Sequence, residues 1–149
     1  MPERHPDGSE APRHLARERA LSLLYEAEMK HLSPSELLDS LAVEPDSFVD
    51  DLVRGVDSGI DSLDSLIAGA SVGWEIDRMP ALDRSVLRLA AFELCERVEV
   101  PVAVVIDEAV ELVKEYSTEE SGRFVNGVLS TLAAQVRTTP EDGAGSQAP

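Results

Sequence analysis

The side chains best suited to catalysis in this sequence are its three histidines and its single cysteine. His5, His14 and His31 have no Cys, Asp or Glu at the spacing that metal ligands require, so a metal site is not predicted. Cys95 lies in the most apolar segment, which is typical of a buried and inert thiol. The sequence contains no glycine-rich phosphate loop and no nucleophile elbow. It therefore predicts a protein that is not an enzyme and binds no cofactor.

A cluster of basic residues near the N-terminus offers a different chemistry, the binding of phosphate. Arg13, His14, Arg17 and Arg19 stand together against a single acidic residue, Glu18. Arg13 and Arg17 are four residues apart, which places them on one face of a helix. Together with the free N–H groups of the first helical turn, this face could hold a phosphate. The alternative is that these arginines only form a solvated helix face.

A second candidate site lies where Lys114, Glu120, Arg123 and Phe124 place charges beside an aromatic ring. Stacking of a base on an aromatic side chain is a common way of binding single-stranded RNA. Phe124 also fits the apolar stripe of its own helix, so packing in the core is the alternative. Spacing alone favours the core.

Charge is distributed unevenly over the 149 residues, which carry 13 Lys and Arg, 29 Asp and Glu, and a net charge of −16. This acidity argues against indiscriminate nucleic-acid binding, because such binding depends on basic residues that neutralise phosphates. Residues 34–77 contain eleven acidic residues and one basic residue, Arg54, so this segment either docks a basic partner or keeps the protein soluble. Arg84 and Arg88 are another pair four residues apart, for which internal ion pairing is the simpler interpretation.

The length of 149 residues is typical of a small protein with one domain. A single cysteine excludes an intramolecular disulfide framework, and no apolar run approaches the roughly 18–20 residues that cross a bilayer. The polar start from Met1 to Pro12 lacks the apolar stretch of a signal peptide. We therefore expect a cytoplasmic protein without a membrane role.

Helices must position the candidate residues, because apolar side chains recur at helical spacing through almost all of residues 13–137. This pattern predicts an all-α bundle of six or seven helices. The segments 1–12 and 138–149 are too polar to offset the entropy of ordering and are expected to be disordered tails. The segment from Ala81 to Arg97 is apolar around most of its circumference, which predicts a central helix.

Local signals mark where several of these helices begin. Ser33 to Glu36 forms a capping box, Ser117 to Glu120 forms a second one, and Asp46 is suited to cap the helix between them. The helix that follows Asp46 is expected to continue past Gly59. Gly127 lies inside the last helix, where glycine is unfavourable, so a closely crossing helix or partner is expected there.

Five blocks of sequence, in chain order, carry a family resemblance. They are Ala16–Tyr25 (ARERALSLLY), Trp74–Arg78 (WEIDR), Asp83–Leu94 (DRSVLR and FEL), Val100–Leu112 (VPVAVVIDEAVEL) and Phe124–Leu129 (FVNGVL). Over about residues 13–136 the chain resembles the NusB family of bacterial transcription antitermination factors. Because several independent blocks would have to coincide, the resemblance is specific.

The resemblance implies two small helical subdomains that bind the boxA element of nascent RNA together with NusE, the small-subunit ribosomal protein that doubles as a Nus factor. The pair helps to build an antitermination complex on RNA polymerase, chiefly on ribosomal RNA operons. Two groups of contact residues carry over by position. The RNA contacts are Arg13, His14, Arg17, Glu120 and Phe124, and the NusE contacts are Tyr25 and Asp83.

The chain departs from the family pattern at three places. His14 and Leu15 interrupt the arginine cluster, Glu120 stands where members often have Asp, and Asp83 where they have Glu. The last two changes keep the charge but alter the reach of the side chain. With a net charge of −16, we expect weak RNA affinity for the chain alone and a strong dependence on its basic partner.

Other interpretations remain open. The chain could be a helical protein–protein interaction module without RNA binding of its own, in which the acidic segment and Tyr25 matter and the arginines only solubilise. Some family members self-associate, so a homodimer that hides the RNA face is a further alternative. NusB-like domains also occur fused to RNA cytosine methyltransferases, but this sequence has neither a glycine-rich cofactor loop nor a catalytic cysteine motif.

Overall fold

The computed structural model describes the backbone of residues 10–137 and the side chains of residues 13–137, so the predicted tails lie almost entirely outside the described residues. Within this range there are seven α-helices, one 3-10 turn and no strand, which confirms the all-α prediction. The helices are α1 (Glu10–Met29), α2 (Pro34–Ser40), α3 (Ser47–Ser58), α4 (Ile60–Ala70), α5 (Ala81–Glu96), α6 (Val102–Tyr116) and α7 (Glu119–Val136), and the 3-10 turn (Ile76–Arg78) precedes α5.

Two of the predicted helix starts are confirmed. Before α2, the Ser33 hydroxyl accepts a hydrogen bond from the N–H of Glu36, and the Glu36 carboxylate accepts one from the N–H of Ser33, at 3.1 and 2.8 Å. Before α3, the Asp46 carboxylate accepts a hydrogen bond from the N–H of Val49 at 3.0 Å. Both caps satisfy N–H groups that have no acceptor within the helix.

Two predicted boundaries are wrong. The first helix begins at Glu10 rather than Arg13, because Pro12 falls in the first turn, where a missing N–H removes no helical hydrogen bond. The predicted continuous helix after Asp46 is two helices, because the backbone at Gly59 leaves helical geometry (φ −110°, ψ 20°) and separates α3 from α4.

Helix α5 is the centre of the fold, as predicted. Ten of its sixteen residues are buried, and it contacts α1, α3, α4, α6 and α7. Helices α1, α2 and α3 pack on one another, and α4, α6 and α7 pack around the other side of α5, in line with the two small groups of helices that the resemblance implies. One continuous hydrophobic core runs through both groups.

Gly55 allows a close helix contact, whereas the contact predicted at Gly127 does not occur among the described residues. A Cβ atom on Gly55 of α3 would lie 2.3 Å from the ring of Phe92 on α5, so only glycine permits this approach. A Cβ atom on Gly127 would meet nothing within 4 Å, and Gly127 is exposed. The prediction that another helix crosses at Gly127 is therefore wrong for the described residues.

Candidate nucleic-acid interface

Three basic residues at the start of α1 each contact a different helix. The guanidinium carbon of Arg13 lies 5.1 Å from the ring centroid of Phe48 on α3, which is cation–π geometry. The Nδ1 atom of His14 lies 2.6 Å from a carboxylate oxygen of Glu108 on α6. Both side chains remain partly exposed, so each keeps some surface that a phosphate could approach.

Arg17 lies in the interior, and its predicted role as an exposed RNA contact needs correction. Its Nε and Nη2 atoms donate to the two carboxylate oxygens of Glu93 at 2.8 and 2.9 Å. The Arg17 side chain is 3% exposed and that of Glu93 is 2% exposed. Arg17 lies on the same face of α1 as Arg13, as helical spacing predicted. Helix α5 covers this face at Arg17. Arg19, the remaining arginine of the cluster, is exposed.

The electrostatic environment of His14 favours its protonated form. The hydrogen bond to Glu108 raises the pKa of His14, and the nearby carboxylates of Glu18 and Glu115 raise it further, while partial burial opposes them. A protonated His14 carries a positive charge at the edge of a strongly acidic chain. The pair also joins α1 to α6 at this edge.

The start of α7 carries the second group of predicted RNA contacts. Its cap is Thr118, whose hydroxyl accepts a hydrogen bond from the N–H of Ser121 at 2.9 Å, so the predicted capping box from Ser117 to Glu120 is wrong by one residue. Glu120 consequently does not fold back to cap the helix, and its side chain is exposed. Phe124 is half-buried one turn further along α7.

Phe124 belongs to an aromatic pair that the sequence did not predict. Its ring centroid lies 5.6 Å from that of Trp74, with an angle of 59° between the ring planes. Trp74 comes from the loop between α4 and the 3-10 turn, and 51% of its surface is exposed. Phe124 also packs against the hydrophobic core, as the apolar stripe of its helix predicts, while stacking of an RNA base on its ring stays a prediction.

Asp83 lies beside this pair and is almost fully buried, and its role as a contact for NusE stays a prediction. It is 2% exposed, because the first turn of α5 packs against the first turn of α7. Its Oδ2 atom accepts a hydrogen bond from the Ser121 hydroxyl at 2.9 Å, and its Oδ1 atom has no partner among residues 13–137. Burial raises the pKa of Asp83, and the hydrogen bond from Ser121 opposes the rise.

The Trp74–Phe124 pair borders a cavity of about 340 Å³, which we call the aromatic cavity. Asp83 and Glu120 also line it, so it combines two aromatic rings with two carboxylates. Such a cavity has flat apolar walls and hydrogen-bond acceptors but no cation of its own. It is therefore suited to an uncharged aromatic ring that carries N–H groups and unsuited to a phosphate.

Tyr25 lies in a second cavity of about 420 Å³, which we call the tyrosine groove, beside Leu21, Leu82 and Tyr116. Tyr25 is 38% exposed, as a partner contact requires. The Tyr116 hydroxyl donates a hydrogen bond to Glu18 at 2.6 Å, and this bond is the main reason that its pKa rises to about 12. The groove thus has apolar sides and a polar rim.

The two cavities adjoin each other. Leu82 and Ser117 line the tyrosine groove, and the residues that directly follow them, Asp83 and Thr118, line the aromatic cavity. The two cavities therefore lie side by side between Tyr25 and the Trp74–Phe124 pair, and together we call them the binding strip. It continues towards the start of α1, since Glu18 lines the tyrosine groove and His14 lies one turn before Glu18 on the same helix.

Arg84 and Arg88 are engaged inside the protein, as the simpler interpretation predicted. Arg84 pairs with Glu28 on α1, and its guanidinium also donates to the carbonyl oxygens of Ile76 and Met79. Arg88 donates to both carboxylate oxygens of Asp64 on α4, at 2.7 and 2.8 Å. Both acidic partners lie on other helices and not near the two arginines in the sequence, because α1 and α4 flank α5 in the fold.

Sequence reasoning missed Trp74 and Tyr116 as site residues. A signal for Trp74 was available, because the only tryptophan of the chain follows the Ser71–Gly73 turn, where no helical stripe could bury it. Tyr116 continues the apolar stripe of α6 and gave no such signal. In the part of the chain that the structure describes, no group of His, Cys, Asp and Glu is arranged to hold a metal ion. No described helix is long and apolar enough to span a membrane.

Comparison with known proteins agrees with these features. The model of the NusB family matches residues 14–134. NusB of T. maritima is 30% identical to the chain and superimposes with a TM-score of 0.77, over 91% of this chain and 99% of that one. The solution structure of NusB from Aquifex aeolicus matches at 29% identity and a TM-score of 0.70, over 94% and 95% of the two chains. A structure of the antitermination factors NusB and NusE in complex with dsRNA matches at 30% identity and a TM-score of 0.70, over 83% of this chain and 96% of that one.

The fold and the binding strip define an all-α binding protein built around one buried helix. The chain belongs to the NusB family of antitermination factors. This family is not a family of enzymes, which confirms the prediction that the chain is not an enzyme.

Proposed function

We propose that this protein binds boxA RNA jointly with NusE and thereby supports antitermination by RNA polymerase, chiefly on ribosomal RNA operons in the cytoplasm. The adjacency of the two cavities in the binding strip carries the proposal. Tyr25 lines one of them and Glu120 and Phe124 line the other, although these residues are far apart in sequence. The NusB–NusE complex with dsRNA supports it, since that complex contains a relative of this chain with both kinds of partner.

Each group of residues has a distinct role in this proposal. Arg13 and His14 approach phosphates at one end, and Phe124 stacks on a base at the other end with Glu120 at the rim. Tyr25 contacts NusE across the tyrosine groove. Arg17 acts as a positioning residue, because its ion pair with Glu93 fixes α1 against α5 beneath the exposed basic side chains.

The acidity of the chain makes RNA binding dependent on NusE. Few cations face the binding strip, and a net charge of −16 repels a polyanion at long range. A basic partner supplies the missing phosphate contacts. The dependence of affinity on salt is therefore expected to be shallow for the protein alone and steep for the complex with NusE, since the slope reflects the number of phosphates neutralised.

Fluorescence anisotropy of a labelled boxA RNA, with and without NusE, tests the proposal. We expect tight binding only with NusE, and weaker binding for Arg13→Ala and Phe124→Ala. Lys30→Ala is the matched control, because Lys30 directly follows the far end of α1 and pairs with Glu26 on the surface. Equal affinity for all four proteins would contradict the assigned surface.

A protein–protein interaction module without RNA affinity is the second candidate. It is favoured by the acidic surface of α2, α3 and α4, where Arg54 is already paired with Asp39 and Asp50. A stable complex with NusE that binds no boxA RNA under any condition would establish this module instead. A homodimer that covers the binding strip would show as a rise in mass with concentration in light scattering, accompanied by loss of RNA binding.

A further inference from the structure

We propose that Trp74 and Phe124 form a slot for one unpaired nucleobase, and that the free Oδ1 atom of Asp83 accepts an N–H group of that base. The inference rests on the proposed RNA binding and extends it, because it assigns Trp74 as a stacking residue and Asp83 as a residue that distinguishes bases.

The exposure of Trp74 is the first observation. Because 51% of the Trp74 surface is exposed, its indole ring contributes less to the free energy of folding than a fully buried ring would. The ring contacts that of Phe124 at a centroid distance of 5.6 Å. A positioned aromatic face beside a cavity of about 340 Å³ is the arrangement on which bases of single strands stack.

The unpartnered oxygen of Asp83 is the second observation. A buried acceptor without a donor is costly, and here its companion Oδ2 atom is already satisfied by Ser121. A ligand that brings an N–H group to Oδ1 would remove that cost. The exocyclic amino groups of cytosine, adenine and guanine are such donors.

The charge of the cavity decides which part of RNA enters. Asp83 and Glu120 line it, and no basic residue among the described side chains does. Two carboxylates repel a phosphate, whereas the amino group of an uncharged base can donate hydrogen bonds to their oxygen atoms. The backbone of the RNA therefore passes outside the slot, where cations from α1 or from NusE can reach it.

Trp74 is the only tryptophan of the chain, so its fluorescence reports directly on the slot. We expect boxA RNA with NusE to quench this fluorescence, with Trp74→Phe titrated in parallel to supply the background from NusE. Trp74→Ala is expected to weaken RNA binding roughly 5- to 150-fold, as removal of one stacking platform does, and Trp74→Phe to retain most of the affinity. Val72→Ala is the matched control, because Val72 is 91% exposed on the same loop and does not line the cavity.

Asp83→Asn tests the second half of the slot. Its amide keeps the shape of the side chain and the hydrogen bond to Ser121 but offers an N–H group where Oδ1 was. We expect the preference at one position of the RNA to move from a base with an amino group towards uracil. An unchanged preference at every position would remove Asp83 from base reading.

The outcomes separate this inference from the proposed function. If the natural protein binds RNA with NusE while Trp74→Ala binds equally well, or while Trp74 is not quenched, the slot is disproved and the proposed function stands. Loss of NusE binding alone in Trp74→Ala would also disprove the slot, since Trp74 would then be a protein contact. If the natural protein binds no RNA even with NusE, both proposals fail.

Discussion

Arg17 of α1 and Glu93 of α5 form a bidentate ion pair inside the protein, with N–O distances of 2.8 and 2.9 Å and side chains that are 3% and 2% exposed. The pair ties the helix that carries the basic cluster to the central helix. Because two parallel hydrogen bonds fix the guanidinium, the pair also fixes the rotation of α1 about its axis. Substitutions at Arg17 therefore test the fold before they test RNA binding.

Removal of one partner of this ion pair is expected to destabilise the protein strongly. Arg17→Ala leaves a buried carboxylate without a counterion, which costs about 3–5 kcal/mol. The double variant Arg17→Met, Glu93→Leu removes both charges and is expected to recover most of that loss. Urea unfolding followed by circular dichroism measures both. A loss below about 1 kcal/mol for Arg17→Ala would mean that the pair is open to water in solution.

The His14–Glu108 pair is expected to make stability depend on pH. Because the folded state raises the pKa of His14 above 6.5, its contribution is fully present below that value and is lost as the pH rises through the raised pKa. Since the His14 side chain is 36% exposed, the effect should stay below about 1 kcal/mol. Melting temperatures of the natural protein and His14→Gln, compared across this range, should converge at high pH. Glu108→Gln should remove the difference, and a gap that widens with pH would refute the assignment.

Arg137 is expected to stabilise the end of α5. Its guanidinium donates to the carbonyl oxygens of Leu94, Val100, Glu93 and Arg97, at 2.6–3.2 Å. Arg137→Ala removes this donor from the carbonyl groups of Leu94 and Val100, whereas those of Glu93 and Arg97 keep a backbone N–H donor. The variant should cost about 2–3 kcal/mol in chemical unfolding. Arg137→Lys should recover only part of this, because an ammonium group cannot reproduce the planar fork. An alanine variant as stable as the natural protein would contradict this role of Arg137.

Two glycine substitutions should have opposite effects on stability. Gly55→Ala places a methyl group 2.3 Å from the Phe92 ring and should cost about 1–3 kcal/mol, because α3 must move away from α5. Gly127→Ala meets nothing within 4 Å on an exposed face of α7 and should gain about 0.5–1 kcal/mol, since alanine favours a helix. Thermal unfolding of the two variants measures both effects. A destabilised Gly127→Ala would indicate a packing contact that the described residues do not show.

The sequence by itself determined the helices and most of their starts, because helical periodicity and caps depend on residues three or four positions apart. The caps at Ser33 and Asp46 are two examples. Short segments of sequence also carry the family resemblance. The segment of α5 has apolar residues around most of its circumference, and this predicted its central position. The local nature of these signals also explains the small errors at Gly59 and Thr118, where neighbouring residues offer nearly equivalent boundaries.

Only the tertiary structure decided which candidate residues are accessible. Arg13 and Arg17 share a helix face, yet Arg13 remains partly exposed while Arg17 is buried against Glu93, 76 positions away in sequence. Asp83 meets Ser121 across 38 positions, and Trp74 meets Phe124 through the packing of a loop on α7. Burial depends on which helix covers a side chain, and the spacing of residues within one helix does not contain that information.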